Sequence, residues 1–155
     1  ILRAAGIAEV NADNAAALFE EHCTDEFLLD EKGRPDNNGT LPMFVIDRRV
    51  SVIPMKGKGL WGPISGYIAI DVDGKVVGAN FDHESETPGL GGEITTEKFQ
   101  SQFRGKQIRK EGRLASIEFD AITGATKTSN GVKEMIDRTM EAYAPYFETL
   151  ANREK

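Results

Sequence analysis

Two alternating runs split by a glycine turn constrain this chain more than any other feature. Ser65–Asp71 (SGYIAID) and Lys75–Phe81 (KVVGANF) flank Val72-Asp73-Gly74. Period-2 segments joined through an Asp-Gly step predict a β-hairpin, because glycine supplies the positive φ that a tight antiparallel connection needs. Met43–Asp47 and Val50–Ile53 read as further short strands, and Gln107–Lys110 and Leu114–Phe119 as two more around Glu111-Gly112. Strands that follow one another through short turns pair antiparallel, and βαβ units are too few for a parallel sheet. The expected fold is therefore α+β: a single domain over residues 1–155, with a largely antiparallel twisted sheet packed with helices.

Helical patterns fall at the two ends. Asn11 is placed to cap a helix running to about Cys23, with Ala15, Leu18 and Phe19 on one face. Thr95–Phe103 reads as a short helix ended by Gly105. The last helix is expected to begin near Thr128 or Ser129, where Val132, Met135, Ile136, Met140 and Tyr143 make a core-facing stripe. Pro145 is expected to break or kink it at Ala144, with Tyr146–Leu150 continuing as a second piece. Residues 30–41 (DEKGRPDNNGTL) are polar and turn-rich, a surface loop.

Several function classes drop out. A net charge of −6 argues against nucleic acid and anionic lipid as main partners. Cys23 is the single cysteine, an ordinary packed or half-exposed thiol, so there is no internal disulfide and no CxxC. His22 and His83 are too few and too scattered for a metal centre. Gly57-Lys58, Gly74-Lys75 and Gly105-Lys106 all lack the Ser or Thr of a phosphate-binding P-loop. Asp71-Val72-Asp73-Gly74 places its glycine too early for a calcium loop. No G-x-S-x-G nucleophile elbow occurs, no signal peptide is recognisable, and no apolar run is long enough to span a bilayer.

Three segments carry chemistry. Gly57-Lys58-Gly59-Leu60-Trp61-Gly62 has the spacing of a dinucleotide fingerprint, but Pro63 and an extended segment follow it where a helix start is required. It reads better as a glycine-rich turn presenting Leu60 and Trp61, with Trp61 either in the core or as a flat wall for an aromatic ligand. Glu86-Thr87-Pro88-Gly89-Leu90-Gly91-Gly92-Glu93 is a long loop whose glycines and proline fix an unusual path and admit close approach. Phe119-Asp120-Ala121-Ile122 leads through Thr123-Gly124-Ala125-Thr126 into Lys127-Thr128-Ser129. That reads as a strand end, a polar turn and a helix start, where orphan N–H groups form an anion site. A threonine hydroxyl at its mouth is positioned to bind a phosphate or to be esterified by one.

In this order the three segments resemble the FMN-binding domain of the C subunits of sodium-translocating NADH:quinone oxidoreductases, a domain shared with the G subunits of the related Rnf ferredoxin–NAD complexes. Ile1–Ile7 also resembles the segment that follows the membrane helix of those C subunits. The resemblance implies an electron-transfer subunit that holds FMN covalently, as a phosphoester on the last threonine of the S/T-G-A-T element, here Thr126. It implies a separate flavin transferase, using FAD and magnesium, as maturation partner. Gly124 and Ala125 are then expected to keep Thr126 open. Lys127, Thr128 and Ser129 are expected to stabilise the ester phosphate. Asp120 and Thr123 belong to the attachment motif. Leu60, Trp61, Thr87 and Leu90 are expected to line the isoalloxazine. No residue acts as a catalytic acid or base and no metal is bound. The family's setting is a complex in the inner membrane that pumps sodium and passes electrons from NADH to ubiquinone. It implies one N-terminal membrane helix before Ile1, the domain on the periplasmic side, and the other subunits as partners. The Rnf G subunit or another reductase with this domain is one alternative, and a non-redox module for a phosphorylated ligand is another. His83 stands three residues before Glu86, a small departure from the family pattern.

Overall fold

The computed structural model describes the backbone of residues 1–110, 113–114 and 117–153, and the side chains of residues 1–108 and 117–148. The elements run α1 (Ala15–His22), β1 (Cys23–Leu29), β2 (Leu41–Ile46), β3 (Val50–Lys58), β4 (Pro63–Asp71), β5 (Val76–His83), α2 (Glu97–Gln100), β6 (Arg109–Lys110), β7 (Arg113–Leu114) and α3 (Thr126–Arg153). The first five strands form one sheet in chain order, every neighbour antiparallel. This is the α+β meander that the hairpin pattern implies. None of the helices is long and apolar enough to cross a membrane among the described residues.

The β4–β5 hairpin lies where the Asp-Gly step put it. Its connection is longer than two residues: Ile70 pairs with Val76, Gly74 has φ +80°, and Lys75 belongs to the turn. β3 extends past Ile53 through Pro54 and Gly57 to Lys58, paired with β4 as far as Lys58↔Pro63. A proline inside a strand usually argues against continuation, since it has no N–H for the ladder. Here pairing to β4 carries the strand on.

At the N-terminal end the helix is shorter than expected. Asn11 is not its cap: the Asn11 side-chain oxygen accepts the N–H groups of Asp13 and Asn14 at 2.8 and 3.0 Å, so it builds the turn ahead of the helix. Helix α1 stops at His22, and Cys23 opens β1, an edge strand that the local pattern does not announce. Pairing with β2 from Cys23↔Ile46 to Leu29↔Leu41 outweighs the helical preference around Cys23.

Helix α3 covers one face of the sheet. Val132, Met135, Ile136, Met140 and Tyr143 are all buried against Ile53, Met55, Ile64 and Ile68. The helix runs as one element to Arg153 with Pro145 inside it. It approaches β3 so closely that glycine is required: a Cβ on Gly131 would lie 2.2 Å from the Lys58 carbonyl oxygen, and one on Gly57 would lie 2.9 Å from Met135 Cβ. Truncating Met135 to Ala would cost about 2–5 kcal/mol. The opposite face is covered by the N-terminal segment, with Leu2 and Ala4 on Ile46, Val52 and Ala69.

A phenylalanine cluster fixes what precedes α3. The rings of Phe81, Phe99, Phe103 and Phe119 meet edge-on or tilted, with centroids 5.0–5.7 Å apart. Such pairs add to their area burial through the ring quadrupoles. The expected helix 95–103 is three short pieces: a 3₁₀ turn Gly91–Thr95, then α2, then a 3₁₀ turn Ser101–Phe103. Gln102 in the last piece accepts the Asp120 N–H at 2.7 Å and donates to the Asp120 carbonyl at 3.3 Å, imitating a strand partner. Residues 117–122 are therefore held without being a strand, so the strand expected over Leu114–Phe119 is met at Leu114, the end of β7, and not at 117–119, while residues 115 and 116 lie outside the described residues. The expected Glu111-Gly112 turn lies outside the described residues.

Candidate functional site

Residues 122–125 form a turn. The Ala125 N–H donates to the Ile122 carbonyl at 2.9 Å, and Gly124 takes φ +79°, a conformation that costs other residues dearly. Ser129 braces the turn from below: its hydroxyl donates to the Ala125 carbonyl at 2.9 Å and accepts the Ile122 N–H at 3.0 Å. Helix α3 then begins at Thr126, earlier than the expected Thr128 or Ser129. Its first regular backbone bond is Ser129 N–H to Ala125 carbonyl, 3.1 Å. The N–H groups of Thr126, Lys127 and Thr128 lie in the first turn, which an α-helix leaves without internal partners and which carries the positive end of its dipole. Thr123, Gly124, Thr126 and Lys127 are exposed, and Ala125 is buried beneath them. The Thr126 side chain therefore stands in solvent on the first helical residue.

Thr128 and Ser129 have other work. Both are buried, and their hydroxyls bond within the protein, Thr128 to Glu86 and Ser129 to the turn. An anion at this helix start meets their surroundings through backbone N–H groups, not through those hydroxyls.

Glu86 is the residue that sequence reasoning missed. It is 4% exposed. One carboxylate oxygen accepts the Leu60 N–H at 2.7 Å and the Thr128 hydroxyl at 2.6 Å, and the other accepts the Trp61 N–H at 2.8 Å. Its own N–H donates to His83 Nδ1 at 3.1 Å, which gives His83 a structural part. Burial by itself would raise the Glu86 carboxyl. The Thr128 hydroxyl, the Trp61 and Leu60 N–H groups and the nearby His83 outweigh it, holding the group below its ordinary range. Two glycines make the room: a Cβ on Gly59 would lie 2.0 Å from Glu86 Oε1, and one on Gly91 would lie 2.6 Å from Thr128 Oγ1. No local pattern marks Glu86, since a charged residue ahead of Thr-Pro-Gly reads as solvated loop.

The same carboxylate draws the candidate segments together. It fastens the Gly59–Gly62 turn and loop 84–91 to the start of α3. Thr87-Pro88-Gly89-Leu90 is itself a tight turn, with Leu90 N–H donating to the Thr87 carbonyl at 3.1 Å and Gly89 at φ +78°. Leu90 leans on the turn ahead of α3, its Cδ2 being 3.2 Å from where a Cβ on Gly124 would stand. Trp61 is 66% exposed, so it is not a core residue, and Leu60 and Leu90 are 44% and 42% exposed. The Thr87 side chain is exposed beside them. Asp120 is exposed, with its backbone strapped by Gln102. Exposed apolar side chains thus stand on two segments that are tied to the start of α3 through Thr128 and lean on it at Gly124. A separate cleft of about 1350 Å³, lined by Arg3, Tyr67, Asn80 and Gln100 among others, contains none of the candidate residues.

Known proteins share the sequence and the fold that carry these segments. The family model described as "FMN-binding domain" matches residues 59–141, which include all three candidate segments from Gly59 onward. The chain is similar to the C subunit of the Na(+)-translocating NADH-quinone reductase of Chlamydia muridarum, 33% identical over 130 residues, covering 65% of this chain and 41% of that protein. It is also similar to the protein of the same name from Pasteurella multocida, 43% identical over 94 residues, covering 52% of this chain and 36% of that protein. The crystal structure of the corresponding C subunit from Parabacteroides distasonis superposes with a TM-score of 0.88 at 30% identity, over 95% of this chain and 88% of that one. The chain spans about two fifths of the length of the curated relatives it matches.

Proposed function

The chain belongs to the FMN-binding domain family, and from that premise we infer that it is a flavin-carrying electron-transfer unit of a sodium-translocating NADH–quinone reductase, with FMN held as a phosphoester on Thr126. The observation that carries this reading is the exposed Thr126 on the first residue of α3, a helix start that Thr128 ties through Glu86 to the turn bearing the exposed Leu60 and Trp61, with the exposed Leu90 close to Gly124.

The residues fit such a group at both ends. An ester phosphate keeps a negative charge. The first-turn N–H groups and Lys127 offer it donors and a cation. The Gly124 turn leaves the hydroxyl open to a modifying enzyme. Leu60, Trp61 and Leu90 offer exposed apolar and aromatic side chains against which a flavin ring can pack. Thr87 adds a polar contact at its edge. FMN bound there supplies the uptake and release of electrons, and the protein supplies position, a tether and exclusion of water on one side. No proton-transferring side chain is called for. The remaining subunits of a membrane complex are the electron partners, and a flavin transferase is the maturation partner.

The test is attachment. Co-expressed with a flavin transferase, the protein gains the mass of one FMN ester and fluoresces in a denaturing gel under ultraviolet light. Thr126→Ala abolishes both signals, while Thr123→Ala retains them. An unmodified wild-type mass, with the transferase active on another substrate, overturns the reading.

A further inference from the structure

Among the described residues Glu86 is the sole buried carboxylate, and it sits directly behind the surface assigned to the flavin. We propose that Glu86 is a positioning residue for the cofactor. By drawing the Leu60 and Trp61 N–H groups inward it makes this turn meet the ring with side chains alone, and it locks the turn in register with the helix that bears Thr126. The proposal rests on the FMN reading above.

Backbone donors decide the matter. Two successive backbone N–H groups turned toward the same concavity form an anion nest. In the Gly59–Gly62 turn that nest is filled by the protein's own anion, at 2.7 and 2.8 Å. A cofactor phosphate is thereby kept out of it and left with the start of α3, so the phosphate end and the ring end are told apart. The turn closes on the other side through the Gly59 N–H and the Gly62 carbonyl, 2.8 Å apart. With its N–H groups turned in, the turn projects Leu60 and Trp61 outward, consistent with their exposure. The third bond, from the Thr128 hydroxyl at 2.6 Å, reaches α3 two residues after Thr126. A shift of the tether is therefore felt at the ring wall, and the converse.

The first arm needs no cofactor. Amide hydrogen exchange by NMR on the unloaded protein should find Leu60 and Trp61 protected although their residues are exposed. Glu86→Gln replaces one accepting oxygen by a donor, and exchange at these two amides should quicken about tenfold or more, while amides of central β4 stay unchanged. Thr128→Val removes one donor and keeps the carboxylate. It should quicken exchange in the same direction by less, and it serves if Glu86→Gln does not fold. The second arm uses protein loaded by the transferase: in Glu86→Gln the midpoint potential of the attached flavin shifts from the wild-type value, and flavin quenching of Trp61, the chain's single tryptophan, weakens. Leu60 and Trp61 amides that exchange alike in wild type and both variants overturn the proposal even where FMN is attached. An unchanged potential together with unchanged Trp61 quenching does the same. Wild type that takes up no FMN overturns the reading beneath it instead, and the exchange arm alone then shows whether Glu86 holds the turn.

Discussion

β4 is capped by two connections of opposite character. At one end, Asp71 closes the β4–β5 turn with its own side chain, one carboxylate oxygen accepting the N–H groups of Asp73 and Lys75 at 2.9 Å each. At the other end, the β3–β4 turn has no such residue. Its Leu60 and Trp61 N–H groups are met by Glu86, which comes 26 and 25 residues later in the chain. The first turn is complete once five residues meet. The second is incomplete until loop 84–91 and α3 have arrived. A turn closed from within is a local structural device. A turn closed from a distance couples three segments, and those are the three segments that carry the candidate chemistry.

The largest expected effect separates the two carboxylates. Glu86→Ala strands two turn N–H groups and a buried hydroxyl, at a cost of about 3 kcal/mol. Asp71→Ala frees groups that reach water, at a cost of about 1 kcal/mol. Urea unfolding of the two variants measures both, and equal costs would erase the distinction drawn between the turns. The glycines give the next contrast. Gly59→Ala puts a methyl group 2.0 Å from Glu86 Oε1 and must expel the carboxylate, costing about 2 kcal/mol and reproducing part of the Glu86→Ala phenotype at the Leu60 and Trp61 amides. Gly74→Ala meets its obstacle in a φ of +80° and costs about 1 kcal/mol, with no effect beyond its own hairpin.

The same contrast explains what could be read from the sequence. The β4–β5 hairpin was legible because its signal, Asp-Gly between alternating runs, and its closing group, Asp71, lie within a few residues. The α3 stripe was legible because helical spacing repeats a single rule from Val132 to Tyr143. The exposed Thr126 follows from a turn whose glycine and following helix are adjacent. What escaped was non-local. β1 opens at Cys23 through its pairing with β2, at the residue where the local pattern still read as helix. β3 passes Pro54 because β4 holds it. Thr128 and Ser129 carry hydroxyls that suit a phosphate on paper, and only packing reveals that Glu86 and the turn have already engaged them. Glu86 itself stood in a loop marked as notable for its glycines and proline, with nothing nearby in sequence to say where its side chain goes.

The smallest expected effect sharpens the comparison by a proton. Glu86 is held below its ordinary value of 4.5 because the Thr128 hydroxyl and the two turn N–H groups outweigh the cost of burial. A carboxyl with a depressed folded-state pKa stabilises the fold in full above its unfolded value, and that contribution fades as pH falls through the folded value. The loss is smaller than in Glu86→Ala, because a protonated carboxyl still has a carbonyl oxygen to accept one N–H. Trp61 is the natural reporter, lying on the affected turn with no second tryptophan to mask it. Its emission anisotropy should stay level at about pH 5 and above and drop in acid before the far-ultraviolet circular dichroism changes, whereas in Glu86→Gln it should be low and flat over the same range. Should the wild-type profile be as flat as the variant's, the charge on Glu86 has no hold on the turn, and the remote closure reduces to shape alone.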